Sequence, residues 1–114
     1  MFSVLSMTIV AAILGMLLRW GIGGSLWGLL LINSLGSVVA GVIAGQTRLD
    51  STWSTALLIG FCGCLTTFSG FALVSVKLFE QGDFFKLGLH FTLNNAMCLS
   101  LCYVGWLFAQ KYVH

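Results

Sequence analysis

Proline is absent from the 114 residues, and charge nearly so: five Lys or Arg and three Asp or Glu make up 7% of the chain. Without proline, any break inside a helix has to be made by Gly, Ser or Thr. Eight charges are too few to cover a water-soluble domain, in which about a quarter of residues are charged. That excludes an ordinary soluble enzyme and a disordered chain. The basic residues are scattered singly and make no patch, which excludes nucleic acid as a partner. The three carboxylates, Asp50, Glu80 and Asp83, all fall in polar segments between apolar runs. No nucleophile with a base and an orienting group is visible, so enzymatic activity is not expected. Cys62, Cys64, Cys98 and Cys102 lie inside apolar runs and lack the paired spacing of a zinc site.

What is present is apolar: 59% of the chain, with 13% aromatic. The length allows about four membrane spans of roughly 20 residues each and no separate soluble domain. Apolar runs cover 2–18, 26–45, 53–79 and 84–110 of a single transmembrane domain, 1–114. The first run has no Lys or Arg before it and no small-residue cleavage site, so it is expected to be retained as a span. Trp20, Trp27, Trp53, Trp106 and Tyr112 lie towards run ends, where aromatic anchors are favoured. Backbone in lipid must satisfy its own hydrogen bonds, so the runs are expected to be helices. The expected fold is an all-α membrane protein with four transmembrane helices.

Four spans put both termini on one side, with Arg48 and Lys111; the other side holds Arg19, Lys77 and Lys86. Orientation follows Lys/Arg bias, and two against three is almost none. The chain is expected to insert both ways, and an oppositely oriented pair makes a fuller bundle than four helices alone. Gly36, Ala40 and Gly41-Val-Ile-Ala-Gly45 form a small-residue stripe on the second run, a device for close helix packing.

Polar groups within the runs are the candidates for chemistry. The second run carries Asn33 with Ser34 and Ser37; a lone amide serves either to join two helices or to meet a ligand. The third run reads Gly60-Phe-Cys-Gly63-Cys-Leu-Thr66-Thr67-Phe68-Ser69-Gly70-Phe71. Glycine weakens a helix by about 1 kcal/mol, and Ser and Thr offer competing hydrogen bonds. A break in the third helix at mid-membrane is therefore expected. Freed carbonyls there suit a cation; a plain packing kink is the alternative. Phe68 and Phe71 flank the break, and ring edges aimed into a narrow pore attract an anion weakly. Two Phe in such a helix also serve simply as core or lipid-facing residues. The fourth run holds His90, Asn94 and Asn95, then Cys98 and Cys102. A His–Cys metal site there is conceivable, but helical spacing and the small apolar character of free Cys account for the pattern.

The third-run segment GFCGCLTTFSGF resembles the G-F-x-G-G-x-T-T-F-S-T-F signature of the Fluc/CrcB family of fluoride channels. Gly15-Met-Leu-Leu-Arg19-Trp20 resembles the family's G-x-x-x-R-[YW], and Asn33-Ser-Leu-Gly36-Ser37-Val-Val-Ala-Gly41 its N-x-x-G-[SA]-F-x-x-G. Glu80-Gln-Gly82-Asp-Phe84 fits as well, so the resemblance covers essentially the whole chain. It implies an antiparallel, dual-topology homodimer with two pores in a bacterial cytoplasmic (inner) membrane. It implies a central structural sodium ion on the backbone carbonyls of Gly63 and Thr66. By the same resemblance Asn33 is the pore amide, and Phe68 and Phe71 are the pore phenyls. Thr67 and Ser69 supply a polar track, and Arg19 stands at the aqueous vestibule.

Several positions depart from the pattern. Cys64 replaces the signature's second glycine and Gly70 its last threonine. Leu29, Val38 and Val74 stand where many members carry Thr, an aromatic and Glu. Phe91 and Asn95 are nearest to the family's usual Tyr and Ser of the fourth span. Some members work as pairs of two different chains, so a non-conducting or half-pore subunit of a heterodimer is the alternative reading. A small multidrug exporter needs a carboxylate within a span, and the runs contain none. The expected function is passive fluoride export conferring fluoride resistance. An inside-negative potential drives it with about 2.3 kcal/mol per charge per 100 mV.

Overall fold

A computed structural model describes residues 2–113; Met1 and His114, the two ends of the expected domain, lie outside the described residues. The chain is helical: α1 Phe2–Ile22, α2 Leu26–Gly45, α3 Ser51–Thr55, α4 Gly63–Leu65, α5 Phe68–Glu80 and α6 Phe84–Tyr112. A π-helical segment, Ala56–Cys62, joins α3 to α4. Four helical stretches are long and apolar enough to cross a membrane: Ser3–Ile22, Leu26–Gly45, Ser51–Glu80 and Phe84–Tyr112. At about 1.5 Å per residue, 20 residues match a hydrocarbon core of about 30 Å.

The bounds differ slightly from those read from hydropathy. The first helix continues beyond residue 18 to Ile22, because Arg19 and Trp20 extend it and the turn waits for Gly23, whose N–H closes on the Arg19 carbonyl at 2.7 Å. The second matches 26–45. The third starts at Ser51, two residues before 53, because Asp50 caps it, and ends at Glu80. The fourth reaches Tyr112, past 110.

Helix starts are set by oxygen side chains in the absence of proline. Ser25 accepts from the Gly28 N–H at 3.0 Å, Asp50 from Trp53 at 3.0 Å, and Asp83 from Lys86 at 3.2 Å. Each such cap contributes about 1 kcal/mol. Helix α5 ends in a left-handed residue, Gly82 at φ +73°. The Gly82 N–H donates to Phe79 and the Asp83 N–H to Leu78, both at 3.0 Å, which closes the turn into α6.

Two backbone contacts organise the slab. α2 packs on α6: a methyl added at Gly41 would land on the Cys102 carbonyl, and one at Gly105 on the Val38 carbonyl. α1 packs on the π segment in the same way, with Gly15 against the Phe61 carbonyl and Gly60 against the Thr8 carbonyl. Of the small-residue stripe on α2, Gly41 and Gly45 meet α6, whereas Gly36 meets the Thr66 methyl group. The buried apolar centre is Leu29, Ile32 and Leu65, with Phe61, Phe71 and Val74 against it. The molecule measures 47 × 31 × 18 Å. Large apolar side chains face outward along both α1 (Leu5, Ile9, Val10, Ile13) and α6 (Leu99, Val104, Leu107, Phe108), a surface suited to lipid or protein rather than water.

Candidate functional site

The expected break lies near the middle of the Ser51–Glu80 stretch. Thr66 (φ −83°, ψ 156°) and Thr67 (φ −147°, ψ 116°) are extended between α4 and α5. Three side-chain contacts hold them there. The Thr66 hydroxyl donates to the Cys62 carbonyl at 2.9 Å. The Thr67 hydroxyl accepts from the Gly70 N–H at 2.9 Å and so caps α5. The Thr67 N–H leaves the helix axis and donates to Asn33 Oδ1 on α2 at 2.9 Å. In a continuous helix the amides of Thr67 and Gly70 would bond the carbonyls of Gly63 and Thr66. Both amides are engaged elsewhere, so the break releases those two carbonyls. Gly63 is exposed in the single chain.

The polar atoms around the break have a fixed order. A backbone N–H only donates, so the atom of Asn33 facing Thr67 is its oxygen. Its Nδ2 then donates to Asn94 Oδ1 on α6 at 3.1 Å. A second contact from the same Nδ2, to the Thr67 carbonyl, is long at 3.5 Å. Asn94 Nδ2 in turn donates to the His90 carbonyl at 2.9 Å and meets His90 Nδ1 at 3.1 Å. His90 Nδ1 must therefore accept, which puts the imidazole proton on Nε2. That nitrogen donates to the Phe71 carbonyl at 3.3 Å. The His90 ring stacks on the Phe71 ring, with centroids 4.8 Å apart and planes at 30°. Asn33, Asn94 and His90 are all buried. Buried polar groups persist when hydrogen-bonded, and here each is.

Two cavities open on the break. The first, of about 230 Å³, is lined by Asn33, Ser37, Thr66, Thr67, Phe68, Phe71, Asn94, Asn95 and Cys98, with no charged side chain. Phe68 is 71% exposed and its ring centroid lies 5.6 Å from that of Phe71. The second cavity, of about 700 Å³, is lined by Arg19, Thr67, Ser69 and Gly70, by Leu29 and Leu73, and by further residues of α1 and the α1–α2 turn. Thr67 lines both spaces, and its hydroxyl shares a hydrogen bond at 3.1 Å with that of Ser69, which lines the second alone. The Arg19 guanidinium makes no ion pair among the described residues.

The structure thus gathers Asn33, Thr66, Thr67, Phe68 and Phe71 in one place and Arg19 with Ser69 in an adjoining one. Gly63 lines neither cavity. On α6 the residues that meet the break are His90 and Asn94. Asn95 lines the first cavity with its own Nδ2 bonded to the Phe91 carbonyl at 2.8 Å. Phe91 contacts Phe71 ring to ring at 5.9 Å. The pairing of Asn33 with Asn94 was not foreseen from the sequence, although two mid-run amides on different spans are a signal for it. Among the described residues no three His, Cys, Asp or Glu side chains converge on a metal position.

The model of the family described as "CrcB-like protein, Camphor Resistance (CrcB)" matches residues 6–106. A protein of Legionella pneumophila (strain Lens), named fluoride-specific ion channel FluC, is 44% identical over 98 residues, 82% of this chain and 72% of the relative. Proteins of the same name from Vibrio campbellii and Photobacterium profundum are 39% identical over 84 residues and 33% over 89. The Vibrio match covers 70% of this chain and 66% of the relative; the Photobacterium match covers 75% and 70%. These relatives are ion channels by name, not enzymes. The chain is a multi-pass membrane protein and belongs to the CrcB-like family.

Proposed function

We propose that the chain forms a fluoride-selective channel that lets fluoride leave the cell passively, down its electrochemical gradient. The observation that carries this is the uncharged cavity at the helix break, where Asn33, Thr67, Phe68 and Phe71 meet in a relative of fluoride-specific ion channels. A dehydrated fluoride ion needs fixed donors in place of water. One N–H of Asn33 has only the Thr67 carbonyl at 3.5 Å, a contact at the outer limit of a hydrogen bond, and is free to turn to an anion. Phenyl edges of Phe68 and Phe71 add weak positive potential. With no Lys or Arg in this cavity, the ion is held loosely enough to leave, as conduction requires. Arg19, with Thr67 and Ser69, concentrates anions in the adjoining vestibule.

In this reading the break lies at mid-membrane and two antiparallel copies form the channel, in a bacterial inner membrane. The 18 Å thickness of one chain and the exposure of Phe68 and Gly63 support a second copy against this face. A sodium ion fits the break: it is a hard cation that takes oxygen ligands, and the Gly63 and Thr66 carbonyls have lost their helical donors. When bound, it supplies a fixed positive charge that ties the two breaks together. A heterodimer is the second reading, favoured by Cys64 and Gly70 standing in the signature.

The test is fluoride efflux from liposomes containing the purified chain alone, followed by an ion-selective electrode with chloride as control. Fluoride efflux with little chloride leak is expected, with Phe68→Ile and Asn33→Ala each lowering it. No efflux from folded, dimer-sized protein overturns the homodimeric channel and directs the search to a sister chain.

A further inference from the structure

His90, at 2% exposure, is the least exposed of the buried polar side chains among the described residues, and it contacts Phe71 through Nε2 and its ring face and Asn94 through Nδ1. We propose that His90 is the positioning residue of the pore, one imidazole that fixes Phe71 and Asn33 relative to each other. The inference rests on the channel reading given above and extends it to a residue that does not itself meet the ion.

The argument is one of connectivity. Through Nε2 and the ring face, His90 holds α5: a hydrogen bond of 3.3 Å to the Phe71 carbonyl and a ring stack of 4.8 Å. Through Nδ1 it holds the Asn94 amide at 3.1 Å. Asn94 hands that orientation to Asn33, and Asn33 to the Thr67 N–H at the break. Only the tautomer with its proton on Nε2 satisfies both ends. With the proton on Nδ1, two donors would face each other at Asn94, and Asn94 is held from the other side by the His90 carbonyl and by Asn33. The Phe71 carbonyl is not vacant without His90, since Ser75 Oγ also donates to it at 2.8 Å. The imidazole is therefore not needed to satisfy that carbonyl. What it adds is the link from α5 through Asn94 to α2.

Substitutions separate the two edges. Gln reaches as His Nε2 does and keeps a donor for the Phe71 carbonyl, but offers no acceptor where Nδ1 stands. Fluoride efflux from liposomes is compared for the wild type, His90→Ala, His90→Gln, Asn94→Ala and the double variant Asn94→Ala/His90→Gln. Melting temperature and dimer elution are measured on each. His90→Ala is expected to lower fluoride efflux about tenfold, equivalent to 1.36 kcal/mol, and to raise the chloride leak. His90→Gln should recover part of this. In the Asn94→Ala background His90→Gln should add no further loss, because its defect passes through Asn94. Nitrogen NMR of histidine-labelled protein, with His114→Ala to assign the second of the two histidines, should show an unprotonated Nδ1 and a protonated Nε2.

Efflux from His90→Ala within twofold of the wild type overturns the proposal. So do losses that follow melting temperature across all variants, additive losses in the double variant, or a protonated Nδ1. If His90→Ala does not fold, His90→Gln and the double variant decide. Absence of fluoride efflux from the wild type overturns the channel reading instead, and the nitrogen spectrum still tests the geometry of His90.

Discussion

Two regions of this chain use the same residue types to opposite ends. In the α2–α6 pair, Gly41 and Gly105 bring two unbroken helices into backbone contact. In the third span, glycines and threonines accompany a π-helical segment and then an outright break. Hydroxyl side chains bonded back to the helix do not explain the difference. Ser37 donates to the Asn33 carbonyl at 2.7 Å and Ser75 to that of Phe71 at 2.8 Å, and both helices continue. Thr66 makes the same contact with Cys62 at 2.9 Å, and there the helix stops. What distinguishes the break is an acceptor from outside the helix: Asn33 Oδ1 captures the Thr67 N–H. The polar residue of the continuous helix is thus what keeps its neighbour discontinuous.

The largest expected effect lies in the continuous pair. Gly41→Val places a branched side chain on the Cys102 carbonyl, which is backbone and has no rotamer to yield. Overpacking costs about 1–3 kcal/mol and more where the neighbour is backbone that must move, so the purified variant should lose most of its folded fraction in detergent, read by elution volume and melting temperature. A melt unchanged from wild type would show that α2 and α6 separate more easily than their backbone contact implies.

The next largest effect lies at the contact that couples the two regions. Asn33→Ala removes the acceptor of the Thr67 N–H and one partner of Asn94 together. Leaving a buried donor without a partner costs about 1–3 kcal/mol. Asn33→Asp keeps an oxygen for Thr67 and loses the donor to Asn94. Amide exchange at Thr67 should therefore accelerate strongly in Asn33→Ala and little in Asn33→Asp. Equal acceleration in both would place the origin of the break in the Thr66–Thr67 sequence itself rather than in Asn33.

How far the sequence reveals this comparison follows from the range of each interaction. The four spans are legible because hydropathy is local and an apolar run of about 20 residues satisfies its own backbone in lipid only as a helix. The break is legible as a cluster of Gly, Thr and Ser around residues 60–71, and it falls inside that cluster at Thr66 and Thr67. The π segment is not legible: Ala56–Cys62 has no composition that separates it from an α-helix, and its setting depends on Gly15 and Gly60 meeting carbonyls of the opposite helix. Asn33, Asn94 and His90 each stand out as polar residues in apolar runs. Their pairing depends on how α2, α5 and α6 are rotated against one another, and hydropathy does not fix rotation.

The smallest expected effect concerns Ser34, the neighbour of Asn33 in sequence and its opposite in bonding. Both are buried on α2, at 6% and 8% exposure. Every polar atom of the Asn33 amide has a partner, whereas Ser34 Oγ has none among the described residues. A buried hydroxyl without a partner is a cost that its removal relieves, and alanine also has the higher helix propensity. Against this stands the loss of a few dispersion contacts around one oxygen atom. The two nearly cancel, so Ser34→Ala should shift stability by less than about 0.5 kcal/mol, or raise it. Fluoride efflux should stay at the wild-type rate. A clear drop in melting temperature would show that Ser34 Oγ gains a partner in the assembled channel. Because no such partner lies among the described residues, it would have to come from outside them, and a second copy or a bound water are the sources the proposed channel offers. The contrast between Ser34 and Asn33 would then mark assembly rather than packing within the chain.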